Sequence, residues 1–218
     1  MKKIMLAFFA LLPLTGMAQN VWEPQQPSTD GEKQQRALFE PGKTNKRDPK
    51  YLANAIPVVD GKVVFTAGIE AKGKTAQQVY DIVAAELEKM AKESNQFKES
   101  QVAVINAQEK KIGGRFREWL VFQKSALALD ATIFNYSIIC DCSDGHLHMT
   151  ISRISYEYET DRTDTGIGQE MTAEQCITDE YGLTRNKQKL SRYYGKFRKK
   201  TIDRKDNIFA AFAAALAK

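Results

Sequence analysis

Histidine and cysteine are scarce in this chain, with two of the former and three of the latter in 218 residues. That scarcity narrows the chemistry. Both histidines, His146 and His148, sit beside one Asp-Gly turn, so any Ser-His or Cys-His pair would have to be assembled there. The sequence has no G-x-S-x-G elbow, phosphate-binding loop, H-E-x-x-H helix or dinucleotide glycine fingerprint. Nothing points to a catalytic centre or a cofactor, and the reading is non-catalytic, with an enzyme of unrecognised type as the remaining alternative. No cysteine stands near residue 18, which excludes an N-terminal lipid anchor at that point. Beyond the first 18 residues no apolar run approaches the roughly 20 residues a membrane-spanning helix needs.

The single strongly apolar stretch lies at the N-terminus. Lys2 and Lys3 form a positive region, residues 4–14 an apolar core interrupted by Pro13, and Gly16-Met17-Ala18 a small-residue cleavage site. This pattern is that of a secretory signal peptide over residues 1–18, cut between Ala18 and Gln19. The expected address is the periplasm or the extracellular side of a Gram-negative envelope. An exported chain rarely meets a genome, so nucleic acid is not an expected partner. The formal charge of +5 includes Lys2 and Lys3, leaving +3 after cleavage.

Residues 19–60 are polar, carry Pro24, Pro27, Pro41, Pro49 and Pro57, and show little hydrophobic period. They read as a flexible leader with Trp22, Leu38 and Phe39 as short docking contacts. A strand is expected over residues 62–71, where Val63, Phe65, Ala67 and Ile69 alternate with their neighbours. Thr75 and Gln78 then make a capping box, and Val79, Ile82, Val83, Leu87 and Met90 recur at helical spacing to about Ser94. A second strand is expected over residues 101–112, a turn at Gly113-Gly114 and a third strand over residues 115–124. Two longer strands, residues 132–142 and 146–159, are joined through Ser143-Asp144-Gly145. Residues 160–171 read as a loop, 172–183 as a short helix and 203–218 as a final helix. The fold class is therefore α+β: an antiparallel sheet with helices packed on one face, in the order β-α-β-β-β-β-α.

The strand ending Ile138-Ile139-Cys140-Asp141-Cys142, the Ser143-Asp144-Gly145 turn and the return strand His148-Met149-Thr150-Ile151-Ser152-Arg153-Ile154-Ser155-Tyr156-Glu157-Tyr158 carry a resemblance. They look like a family of exported bacterial proteins with a domain of unknown function and a TATA-binding-protein-like fold. The resemblance covers residues 61–159, leaving 160–218 as a loop and basic C-terminal helices that pack on or extend that domain. It implies a fold and supplies no catalytic residues, since function sits in sites grafted on folds.

Cys140, Cys142, His146 and His148 flank one turn and have the donor types of a zinc site. The hairpin register decides whether they meet. With a three-residue turn all four share a face. With Asp144-Gly145 as a two-residue turn, Cys142 faces Leu147 and Asp141 faces His148, and the thiols and imidazoles part. Only the two-residue register brings the apolar faces Phe134, Tyr136, Ile138, Cys140, Cys142 and Leu147, Met149, Ile151 together, so no metal site is expected. Cys140 and Cys142 point the same way along one strand and would strain a mutual bond. A bridge from Cys176 to Cys140 or Cys142 stays open in an exported protein.

Two candidate binding surfaces remain. If one sheet face is uncovered, the aromatics Trp119, Phe134, Tyr136, Tyr156 and Tyr158 are candidates for a ligand or for an envelope protein partner. The segment 185–205 is rich in cations. Its Lys187, Lys189, Arg192, Lys196, Arg198, Lys199 and Lys200, interleaved with Tyr193, Tyr194 and Phe197, would suit a glycan or anionic lipid headgroups.

Overall fold

The computed structural model describes residues 47–124, 129–158 and 169–218. The expected signal peptide over residues 1–18 and the expected docking contacts Trp22, Leu38 and Phe39 lie outside these residues. A short ribbon of β1 (Val58–Val59) and β2 (Lys62–Val63) precedes β3 (Phe65–Glu70), α1 (Ala76–Ala91), β4 (Gln101–Asn106), β5 (Lys111–Lys124), β6 (Leu129–Ser143) and β7 (His146–Tyr158). The chain ends with β8 (Gln169–Thr172), the single turn α2 (Ala173–Cys176) and α3 (Gly195–Leu216). The six-stranded antiparallel sheet runs β3-β7-β6-β5-β4, and β8 pairs with the far half of β7.

Local chemistry explains the best-defined elements. The Thr75 hydroxyl accepts from the Gln78 amide at 3.3 Å, and the Gln78 side chain accepts from the Thr75 amide at 2.8 Å, closing the capping box of α1. Val79, Val83, Leu87 and Met90 form the buried stripe below it. The β6–β7 hairpin has the two-residue register, with Ser143 opposite His146, Cys142 opposite Leu147 and Asp141 opposite His148. Gly145 holds φ at +68°, where an L-residue is strained. The turn also serves the helix: Asp144 Oδ1 accepts from the Ala76 amide at 2.6 Å, placing a carboxylate on the N-terminal dipole of α1.

Gly113-Gly114 is not a turn. Both residues lie inside β5, opposite Ile139 and Ile138 of β6, while the β4–β5 turn falls at residues 107–110. A Cβ on Gly113 would come within 2.3 Å of the Ile138 carbonyl oxygen, and one on Gly114 within 2.7 Å of the Gln101 carbonyl oxygen. The pair permits close strand approach. The real turn is stabilised by the Asn106 side chain, which accepts from the Gln108 and Glu109 amides, and by Lys110 at φ +53°.

Other boundaries shift as well. Within the expected leader, Asp48 caps a 3₁₀ turn over Pro49–Tyr51, and Tyr51 and Ile56 are buried, while Val58 and Val59 remain exposed. Part of the expected 160–171 loop forms β8. The expected helix 172–183 stops at Cys176, and the last helix starts eight residues early, at Gly195.

α1 packs on the inner face of β4 to β7, and α3 packs on β3, β5 and α1, so both helices lie on one side of the sheet. The inner-facing Phe116, Tyr136, Phe134 and Tyr156 line up across β5, β6 and β7 with ring centroids 4.7 to 5.4 Å apart. Phe197 of α3 meets Tyr156 edge-on at 5.3 Å. Each such side chain contributes about 1.5–3 kcal/mol through burial.

Candidate functional site

The aromatic candidates divide by strand parity. Phe134, Tyr136, Tyr156 and Tyr158 point inward and are buried, so they build the core and present no ligand surface. The Tyr156 hydroxyl is spent on Thr201 at 2.6 Å, and that of Tyr158 donates to Asp130 at 3.0 Å. Trp119 alone faces outward, 39% exposed and 5.3 Å from the Phe97 ring.

The basic tract divides too. Lys187, Lys189 and Arg192 are exposed, whereas Lys199 and Lys200 are half-buried. Lys196 is held by Asp130 at 2.9 Å and lies 4.3 Å from the Tyr158 ring centroid and 4.8 Å from that of Phe122. Arg198 is fully buried, donating to the carbonyls of Tyr51, Leu52 and Ile177 and to Asp179 at 2.6 to 2.8 Å. It is a structural cross-link between α3, the 47–57 segment and the chain after α2, and its assignment to an anion-facing surface is corrected.

All three cysteines are free thiols, and burial is the main force pushing each one up; Cys142 rises to about 11. Cys140 and Cys142 face the core opposite Met149 and Leu147, while His146 and His148 are exposed on the other face. The bridge from Cys176 to Cys140 or Cys142 that the sequence leaves open is absent. Cys176 lies beside Tyr156, whose partner on β6 is Phe134, six residues from Cys140. At about 3.3 Å per residue that is roughly 20 Å, against the 7 Å or so that a disulfide spans.

The face of β4 to β7 turned away from the helices carries a feature that periodicity did not suggest. A shallow cleft of about 560 Å³ is lined there by Glu99, Gln101, Arg115, Arg117, Asn135, Ser137 and Arg153, and by Phe116 and Tyr136 between them on their strands, whose side chains are buried in the core. Strand alternation places Arg115 and Arg117 on this face. They stand opposite Ser137 and Asn135 of β6. Arg117 is already engaged: its guanidinium grips Glu157 with both terminal nitrogens, the longer bond being 3.0 Å, and its carbon lies 5.2 Å from the Phe97 ring centroid. Burial alone would raise the Glu157 carboxyl, but the bonds from Arg117 and Asn135 outweigh it and hold the group below its ordinary value.

Arg153 reaches the same face by a different route. Asn135 pairs with Ser155 and Ser137 with Ser152, so Arg153 and Ile154 together oppose Tyr136 in a β-bulge. Ile154 stays buried, and Arg153 turns outward with φ at +53°. That position favours glycine, and an arginine there costs about 1–2 kcal/mol. The sequence marks no bulge.

A family model described as a domain of unknown function (DUF4468) with TBP-like fold matches residues 65–157. The chain is similar to the crystal structure of a DUF4468 family protein from Bacteroides ovatus, at 34% identity and TM-score 0.71, covering 80% of this chain and 97% of that one. A TBP-like protein from Parabacteroides distasonis shares the fold at 19% identity and TM-score 0.58, covering 76% and 99% respectively. No curated protein matches. With an antiparallel α+β sheet, one helix-covered face and a relative aligned over nearly its whole length, this chain belongs to the DUF4468 family, whose domain has a TBP-like fold.

Proposed function

We propose that this protein is an exported, non-catalytic envelope protein whose α+β domain binds a small ligand on the sheet face that the described residues leave uncovered. The observation that carries the reading is the asymmetry of the sheet: both long helices pack on one face, and the other holds an open, polar cleft around Arg115, Arg117 and Arg153. Export rests on Lys2, Lys3, the apolar residues 4–14 and the Gly16-Met17-Ala18 site. No helix among the described residues is long and apolar enough to cross a membrane.

The test has two arms. Cell fractionation should place the chain in the envelope fraction with Gln19 as its first residue; a cytoplasmic chain that keeps Met1 refutes export. Amide NMR of the mature protein with a small-molecule extract of the envelope should show shifts clustered on the outer face of β4 to β7. Shifts elsewhere, or none, refute the site.

A second reading is supported by the segment before α3. Arg185, Lys187, Lys189 and Arg192 are exposed there, beside Tyr181 and Tyr193 at 43% and 41% exposure. Cations and half-exposed aromatics together suit an anionic membrane surface. Flotation with anionic vesicles should then be abolished by high salt, and retention in high salt rejects the reading.

A further inference from the structure

We infer that the open-face cleft takes an oxyanion, a single carboxylate or phosphoryl group held by Arg115 and Arg153. This rests on the ligand-binding reading above and names the class of ligand. The lining arginines differ in availability. Arg117 is neutralised by Glu157, whereas Arg115 and Arg153 have no acidic partner among the described residues and are exposed to solvent in the same cleft. Between their strands lies Ser137, opposite both Arg115 and Ser152 in the sheet, which adds a hydroxyl to the cationic pair. Planar guanidinium forks match carboxylate and phosphate oxygens in geometry as well as charge.

The backbone supplies an independent argument. An ordinary strand would send the residue after Ser152 into the core. The bulge gives that residue the outer face instead, at a left-handed backbone angle that glycine would occupy without strain. Strain at a position that re-aims one charged side chain into a cleft is the pattern of a binding site. Glu99 at the rim offsets part of the charge, so the cleft is matched to one oxyanion group and mismatched to a polyanionic strand.

The probes are benzoate, its neutral isostere benzamide, and inorganic phosphate, titrated into the mature protein at constant ionic strength while the amides of residues 113–117, 135–137 and 152–155 are followed by NMR. Benzoate or phosphate should move these amides saturably, and benzamide should not. The stronger of the two anions assigns the group as carboxylate or phosphoryl. Arg153→Gly relieves the backbone angle and so keeps the fold; it should weaken binding by about tenfold, as should Arg115→Gln, while Lys187→Gln outside the cleft changes nothing. No saturable shift up to about 10 mM, equal response to benzamide, or undiminished affinity in Arg153→Gly overturns the inference. If envelope extract still moves the cleft amides when both anions fail, only the ligand class falls. If the extract fails too, the ligand-binding reading falls with it.

Discussion

Glu118 of β5 and Arg204 of α3 meet in a two-point ion pair, with Nε to Oε1 and Nη2 to Oε2 both at 2.7 Å, and Glu118 fully buried. Glu118 occupies an inward position of its strand, where an unpaired carboxylate would be untenable. Asn95 and Gln96 donate to its second oxygen, and Arg204 reaches on to Glu93 at 2.8 Å. Burial pushes the Glu118 carboxyl up while Arg204 opposes it. Its hydrogen-bond partners Asn95, Gln96 and Arg204 all donate to it, which suits the ionised form, while the Glu93 carboxylate adds to the upward push. The pair ties the last helix to the sheet and to the loop after α1.

Removing one partner leaves a buried charge with no counterpart. Glu118→Ala should lower unfolding stability by about 3–5 kcal/mol, whereas the double change Glu118→Leu with Arg204→Met should recover most of the loss. Urea denaturation of the single and double variants measures the coupling. Additive losses would show that the pair is not the unit holding α3.

At Arg153 the expected sign is reversed. Arg153→Gly removes the left-handed strain and should raise stability by up to about 1 kcal/mol, while Arg153→Val should lower it. Chemical denaturation gives both values, and equal stability of the two variants would contradict the bulge geometry.

The thiols are expected to be silent in the native protein. All three are buried and displaced upward, so a thiol reagent at neutral pH should find none before unfolding and three after it. A denatured, unreduced sample that titrates one thiol would establish the disulfide that this fold keeps apart.

Acid should expose the Arg117–Glu157 contact. The folded-state value of Glu157 is depressed, so its contribution is complete above the unfolded-state value near 4.3 and is lost as pH falls through the folded-state value. Glu157→Gln should therefore lose stability at neutral pH and show a flatter acid limb than the parent. Parallel stability–pH curves for the two proteins would exclude the linkage.

Much of the fold was legible where local chemistry and the hydrophobic pattern agree. The capping box and the stripe from Val79 to Met90 mark α1. Asp144-Gly145 with its flanking apolar faces selects the hairpin register. Gly113-Gly114 misleads because the same dipeptide makes turns and permits close strand contact, and sequence cannot tell a carbonyl at 2.3 Å from open solvent. Phe134, Tyr136, Tyr156 and Tyr158 proved to be core for a related reason, while Trp119 faces outward: alternation gives two faces without saying which one the helices cover.

The cleft was less legible still. Arg115 and Arg117 have the right parity, but Arg153 joins them only through a bulge that breaks parity. Conversely, Arg198 and Arg204 look like part of a solvated basic run. Their partners are up to 147 residues away in Tyr51, Leu52, Asp179 and Glu118.

The sequence by itself determined the order of the main strands, the position and capping of α1, and the hairpin that parts the cysteines from the histidines. Each of these depends on interactions among near neighbours or on a repeating apolar period. Tertiary structure alone decided which sheet face is covered, which cations are buried and which are free, and that Arg153 faces solvent. Those outcomes depend on which distant groups the chain brings into contact, and on where it accepts backbone strain to do so.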